Sequence, residues 1–188
     1  MAVGVESAAQ RPGDPGPACY LARFEPAWAG TVAGWVRSDE ELFWLAPATA
    51  PPLTAEKVLA WLRTDRDAYL LRWGQAAEPI GYAELGQMPD TADQMWLGHF
   101  VIAPAQRGRG LGGQFMQLLL DAARRRHRAR RICLIVFPHN VAAIRCYQRA
   151  GLQSSGYERR YFHTTGRHHR LLRMSIELPP VDEGERAR

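Results

Sequence analysis

The sequence predicts a mixed α/β fold of one domain, a mostly antiparallel sheet flanked by helices. Three observations predict it. Residues 68–73 and 80–85 are strand-like runs separated by Gly74 and Pro79, which suits an antiparallel hairpin. A strand–helix–strand–helix unit follows, in which residues 96–102 and the apolar run 132–137 bracket an amphipathic stretch. Residues 157–162 and 170–178 then face each other across 164–166 as a terminal hairpin.

Each element has a local cause. Residues 1–17 are small, rich in Pro and Gly and without a period, and read as a loose arm. Residues 20–24 form a short first strand. Ser38-Asp39-Glu40-Glu41 is a capping box that opens a helix through Leu42, Phe43 and Leu45. After Pro51 and Pro52, Thr54 caps a second helix with Val58, Leu59 and Leu62 on one face. The long helix covers 111–126, where Leu111, Phe115, Leu118, Leu119 and Ala122 recur at helical spacing. Asn140 opens a further helix and Gly151 closes it. The domain so defined spans 18–178, and 179–188 reads as a second loose tail.

Composition removes several classes. The 188 residues are 46% hydrophobic and 23% charged, enough for one core and too few for two. Cys19, Cys133 and Cys146 are too few and too widely spaced for a disulfide framework or a four-ligand zinc site. No stretch approaches the ~18 apolar residues of a membrane span. Met1 to Pro17 has neither the basic start nor the hydrophobic region of a secretory signal. The expectation is a cytoplasmic protein with no membrane partner.

Charge is unevenly placed within the net +5. Residues 1–98 carry 7 basic and 13 acidic side chains, and residues 99–178 carry 15 and 3. The basic half calls for an anionic partner: a phosphorylated cofactor, nucleic acid or an acidic surface. Lys57 is the single lysine among 24 basic residues, so the positive charge is nearly all guanidinium, the fork that suits phosphate. The run RRRHRARR over 124–131 ends the long helix, where the dipole favours cations. It lacks the interleaved aromatics of a single-strand nucleic-acid binder and reads as a solvated helix end. Contact with a cofactor phosphate, RNA or an acidic protein is its alternative reading.

The stretch that carries chemistry is HFVIAPAQRGRGLGG, residues 99–113. A strand runs into a Gly-rich turn that opens an amphipathic helix. Such a turn aims free backbone N–H groups at one point, where the helix dipole also favours negative charge. Gly108, Gly110 and Gly112 admit a ligand to the backbone, and Arg107 and Arg109 add positive charge, so a pyrophosphate suits the site. Gly108, Gly110 and Gly113 formally match a dinucleotide fingerprint. The acidic residue expected ~20 positions on is replaced by Arg128, Ala129, Arg130 and Arg131. The Lys-Ser/Thr of a phosphate-binding P-loop is absent too.

A better match is Arg107-x-x-Gly110-x-Gly112, preceded by Phe-Val-Ile-x-Pro. A second element follows, Asn140-x-x-Ala143-x-x-x-Tyr147-x-x-x-Gly151-Leu152. Over residues 96–152 the sequence resembles the GNAT superfamily of acetyl-CoA-dependent N-acetyltransferases, with Leu152 where phenylalanine is commoner and an extra glycine in the loop. The resemblance implies a GNAT-like sheet whose strands 96–102 and 132–137 splay apart, with acetyl-CoA lying in the gap as cosubstrate and no metal. It implies that Val101 and Ile102 meet the pantetheine arm. The loop residues Arg107, Gly108, Arg109, Gly110, Leu111, Gly112 and Gly113 would hold the pyrophosphate, and Asn140 would also reach the arm. Tyr147 would protonate the departing thiolate, an easy transfer because a phenol's pKa of ~10 is near a thiol's. Glu84 and His99 are the candidates for the base that deprotonates the amine, unless a water relays the proton. Regular alternation puts His99 on the face of Leu97 and Val101, which a bulge would change.

The acceptor is an amine-bearing small molecule or a peptide or protein N-terminus, and a second copy of the chain is a candidate partner. Trp28, Trp35, Trp44 and Trp61 fall where helices cover the acceptor cleft in that family, as core or as pocket wall. Asp39, Glu40 and Glu41 lie near enough to bind a cationic amine, which gives an acidic acceptor side opposite a basic cofactor side. Three of the six histidines, His163, His168 and His169, fall in the expected loop of the terminal hairpin. A non-catalytic acyl-CoA-binding module on the same fold and an NAD-type dinucleotide binder are the competing readings.

Overall fold

The computed structural model describes residues 19–74, 78–89 and 91–181. The arm expected over 1–17 lies outside them, as do residues 182–188 of the expected tail. Strands β1 (Cys19–Arg23), β2 (Arg66–Trp73), β3 (Gly81–Gln87), β4 (Gln94–Ile102), β5 (Arg131–Val136), β6 (Gln153–Phe162) and β7 (Arg167–Glu177) form one sheet. Their order is β1-β2-β3-β4-β5-β7-β6. Every neighbouring pair is antiparallel except β4 with β5. Both expected hairpins are present, β2 with β3 and β6 with β7.

Alternation along the strands divides the core in two. Tyr69, Leu71, Ala83, Leu85 and Leu97 pack on one face beneath α4 (Leu111–His127) and α5 (Val141–Arg149). Leu70, Tyr82 and Val101 pack on the other, beneath α1 (Ala29–Ala33), α2 (Asp39–Leu45) and α3 (Ala55–Leu59). The long helix buries most of the stripe read from its sequence: Phe115 and Leu119 are fully enclosed, Leu111 and Ala122 nearly so, and Leu118 is half-buried at the cleft. Each such large side chain contributes about 1.5–3 kcal/mol. No helix among the described residues is long and apolar enough to cross a membrane.

The short helices depend more on tertiary packing. Ser38 accepts from the Glu41 amide at 3.1 Å, as the capping box requires. The Glu41 carboxylate, however, accepts from the Arg37 amide at 3.0 Å, one residue before the reciprocal position. Thr54 caps α3 through the Lys57 amide. That helix ends at Leu59, so the expected apolar face is not continued. Leu59 and Leu62 are exposed, and Trp61 is buried with Val58 instead. A five-residue helix stops before its second turn, and the chain beyond it loses helical phase. α1 carries no sequence signal of its own: Gly30, Thr31 and Val32 are poor helix formers and no side chain caps it.

Candidate active site

The central opening of the sheet comes from β4. It pairs with β5 only at Gln94↔Arg131, Met95↔Ile132 and Trp96↔Cys133. Beyond these the two strands part, and both line a cleft of about 1760 Å³. On its other edge β4 carries a bulge: Tyr82↔Val101 is followed by Glu84↔Gly98, so one residue of β4 is extra. His99 takes left-handed backbone there, φ 46°. A bulge bends its strand and re-aims the side chain, and it is a common device at sites. His99 therefore faces α1–α3 with Val101 and stacks on Trp61 at 4.1 Å, whereas Leu97 packs beneath α4. The regular alternation that would join His99 to Leu97 does not hold.

At one end of the cleft lies the glycine loop. Gly108 and Gly110 have φ of 77° and 78°, conformations that L side chains rarely adopt, and a Cβ at either position would meet nothing within 4 Å. No hydrogen bond among the described residues takes the amides of Gly108, Arg109, Gly110, Leu111 or Gly112. These donors sit at the start of α4, the geometry of a phosphate cradle. Gly112 has a different role: a Cβ there would lie 3.1 Å from Cys146 Sγ, so its small size lets α4 and α5 approach.

Arg107 anchors this loop. Its Nε donates to the Ile102 carbonyl at 3.0 Å, Nη2 to the Trp35 carbonyl at 3.1 Å, and Nη1 to Glu41 at 2.7 Å. The guanidinium thus ties the loop to β4 and α2 instead of lending it free charge, and its own amide closes a turn on Pro104. Burial pushes Glu41 up, but Arg107 and the Arg37 amide hold its carboxyl below the usual range. Arg109 lies over the Trp73 ring and donates to Gln106. Replacing Arg107 with alanine is expected to cost about 1–3 kcal/mol and lower the unfolding midpoint by roughly 2–12 °C. Scanning calorimetry checks this, and an unchanged midpoint denies the anchor.

Helix α5 brings two predicted residues to the cleft. Asn140 is the N-cap, accepting from the Ala143 amide at 3.2 Å. Tyr147 is buried against Phe100 in an edge-to-face contact, and its hydroxyl makes no hydrogen bond among the described residues. Burial, with Cys146 as a smaller cause, pushes the Tyr147 phenol well above its usual value, so it rests protonated but matches a thiol less closely than the expected free phenol. Cys146 lines the cleft as well; burial raises its thiol, which leaves it a poor nucleophile.

On the α1–α3 face the two base candidates form a pair. Glu84 is 1% exposed. Tyr82 Oη donates to its Oε1 at 2.6 Å, and Arg66 Nη1 lies 3.5 Å from Oε2. His99 Nδ1 lies 2.9 Å from Oε1, close to it but not aligned as a hydrogen bond. Burial pushes the Glu84 carboxyl up, but His99, Tyr82 and Arg66 together hold it below its ordinary value. His99 lines the cleft and Glu84 does not. Tyr82 stands two residues before Glu84, so period-2 alternation was the signal that would have found it. Arg66 had no such signal, because a strand pairing brings it there.

The cleft therefore gathers His99, Val101, Ile102, Arg107, Gly108, Gly110, Gly112, Gly113, Asn140 and Tyr147. Arg109 and Leu111 do not line it: Leu111 is core and the Arg109 guanidinium lies over Trp73. Trp44 and Trp61 line it; Trp28 lies under Arg72. The expected acidic acceptor side is not found: of Asp39, Glu40 and Glu41, only Glu41 reaches the cleft, and Arg107 neutralises it. His163 and His168 pack on Tyr161, and His169 among Phe43, Phe137 and Phe162. No group of three metal-ligating side chains occurs among the described residues.

The chain is similar to known proteins in sequence and in fold. The chain is 33% identical over 82 residues to the spermine/spermidine N(1)-acetyltransferase of Bacillus subtilis, covering 41% of this chain and 54% of that one. It is 33% identical over 88 residues to the N-alpha-acetyltransferase RimI of Mycobacterium tuberculosis, covering 46% and 53%. The chain thus spans about half the length of these relatives. In fold it is similar to spermidine N-acetyltransferase from Vibrio cholerae, solved with CoA and spermine, at TM-score 0.70 and 18% identity over 85% of this chain and 95% of that one. It is likewise similar to aminoglycoside acetyltransferase AAC(6')-Ib solved with coenzyme A, at TM-score 0.65 and 19% identity over 85% and 95%. The family model "Acetyltransferase (GNAT) family" matches residues 36–152, more than half of the sequence. This chain belongs to the GNAT acetyltransferase family.

Proposed function

We propose that the protein transfers the acetyl group of acetyl-CoA to a primary amine by direct attack, with both substrates in the cleft. One observation carries this reading. β4 and β5 part after three residue pairs, leaving a passage with free loop amides and Tyr147 lining one side and His99 the other. A pyrophosphate fits the amides of 108–112, and an extended arm fits between the parted strands beside Val101 and Ile102, where a strand N–H can polarise the thioester carbonyl. The relatives' names, and the CoA in the solved neighbours, support the same cosubstrate.

Roles then follow from position. His99, open to the cleft, takes the proton from the attacking amine. Glu84, buried and ionised, is a positioning residue that holds the imidazole and compensates the charge it gains. Tyr147, protonated and with no protein partner for its hydroxyl, gives its proton to the departing thiolate. Raised Cys146 argues against an acyl-enzyme. A non-catalytic acyl-CoA-binding module would need neither this pair nor Tyr147.

The test is calorimetric titration with acetyl-CoA, with NADH as control, followed by thiol release in the presence of amines. Stoichiometric acetyl-CoA binding with turnover is expected; binding of NADH alone overturns the reading. Tyr147→Phe is expected to lower kcat on the order of 10²-fold with the acetyl-CoA Kd within twofold. An unchanged kcat, with chemistry rate-limiting, removes Tyr147 as the acid.

A further inference from the structure

The acceptor half of the cleft has a charge pattern opposite to that of the sequence half that builds most of it. Glu41 is the one carboxylate among the described residues that line the cleft, and Arg107 holds it. The acids just outside are paired as well: Asp65 with Arg63, Glu84 with Arg66 and His99, Glu158 with Arg160 and Arg173. The cations of these pairs do reach the cleft, since Arg63, Arg66 and Arg160 line it. Arg160 shares the single carboxylate of Glu158 with Arg173, so one negative charge faces two guanidiniums there. The Arg160 guanidinium lies over the Trp96 ring, 5.3 Å from the centroid, and Trp96, Trp61 and Trp44 line the same cleft.

The physics of this space discriminates among amines. An acceptor with a second ammonium would lose water against aromatic walls, find no free carboxylate, and meet Arg160. A carboxylate in the same place finds a guanidinium fork already fixed by a ring and needing little further ordering. We infer that the acceptor is a primary amine carrying a carboxylate on an apolar or aromatic body, with the carboxylate on Arg160 and the body against Trp96 and Trp61. This rests on the acetyl-transfer reading above. It sets the chain apart from the polyamines for which its relatives are named.

The test is thiol release from saturating acetyl-CoA with matched pairs that differ in the carboxylate, L-tryptophan against tryptamine and L-phenylalanine against phenethylamine, with spermidine alongside. The carboxylated member is expected to have the higher kcat/KM in each pair, and spermidine the lowest. The ratio within each pair should fall about tenfold in Arg160→Gln, and further in Arg160→Glu. A wild-type preference for spermidine or for the decarboxylated members overturns the proposal. So does a ratio that Arg160→Glu leaves unmoved, or no turnover of either carboxylated amine while acetyl-CoA binds. Failure of the wild-type protein to bind acetyl-CoA at all is a different result, and it removes the acetyl-transfer reading itself.

Discussion

Gly110→Asp is expected to abolish acetyl-CoA binding while leaving the fold intact, a loss of at least a hundredfold in affinity. The backbone there has φ 78°, and a Cβ would stand in open space facing the cleft, so no packing is disturbed. Aspartate also tolerates left-handed backbone better than most residues, which keeps the strain near 1 kcal/mol. What changes is the cradle. A carboxylate would enter among the amides of 108–112 and oppose the pyrophosphate charges, a repulsion of several kcal/mol at ~4 Å under partial screening. Gly110→Ala adds the Cβ and its strain without the charge, so the difference between the two variants isolates the electrostatic part. Calorimetric titration beside an unfolding curve reads both. Affinity within tenfold of wild type in Gly110→Asp would place the pyrophosphate elsewhere.

His99→Gln is expected to lower kcat by roughly 10²–10³-fold, the range typical of a lost general base. The remaining rate should climb with pH as the amine loses its own proton. Glu84→Gln keeps the shape and the Tyr82 contact but removes the buried charge; an effect of about tenfold on kcat, with the acetyl-CoA KM unchanged, is expected of a residue that acts through its neighbour. A second readout separates the two. The Glu84 carboxyl lies below its ordinary 4.5 in the folded protein. Its stabilisation is therefore present above the unfolded value and is lost as pH falls through the lower folded one. Glu84→Gln lacks that acid-side loss, whereas His99→Gln retains the carboxylate. Equal kcat in wild type and His99→Gln, with chemistry rate-limiting, would leave a water relay as the base.

Much of the loop was legible in the residues themselves. The alternation of glycines before an amphipathic helix dictates positive φ and free amides wherever the chain folds, because both are local consequences of missing Cβ atoms and of a helix start. The Asn140 cap, the burial of Phe115 and Leu119, and the terminal hairpin are likewise short-range. The helix through Leu62 failed for the complementary reason: a five-residue segment has too little propensity to hold its phase, so packing of Trp61 decided it.

Charge was the least legible property. Thirteen acids in residues 1–98 suggested an acidic acceptor side, yet Glu41 at the cleft and Glu84 beside it pair with arginines across strands and loops. Arg107 is 66 residues from Glu41, and Arg66 is 18 from Glu84. The sequence by itself determined the strands, the two longer helices, the glycine loop and the family. The tertiary structure decided which side chains face the cleft. A single extra residue in β4 turned His99 toward Glu84, and long-range ion pairs set which charges are left for a substrate, because register and pairing depend on strands far apart in the chain.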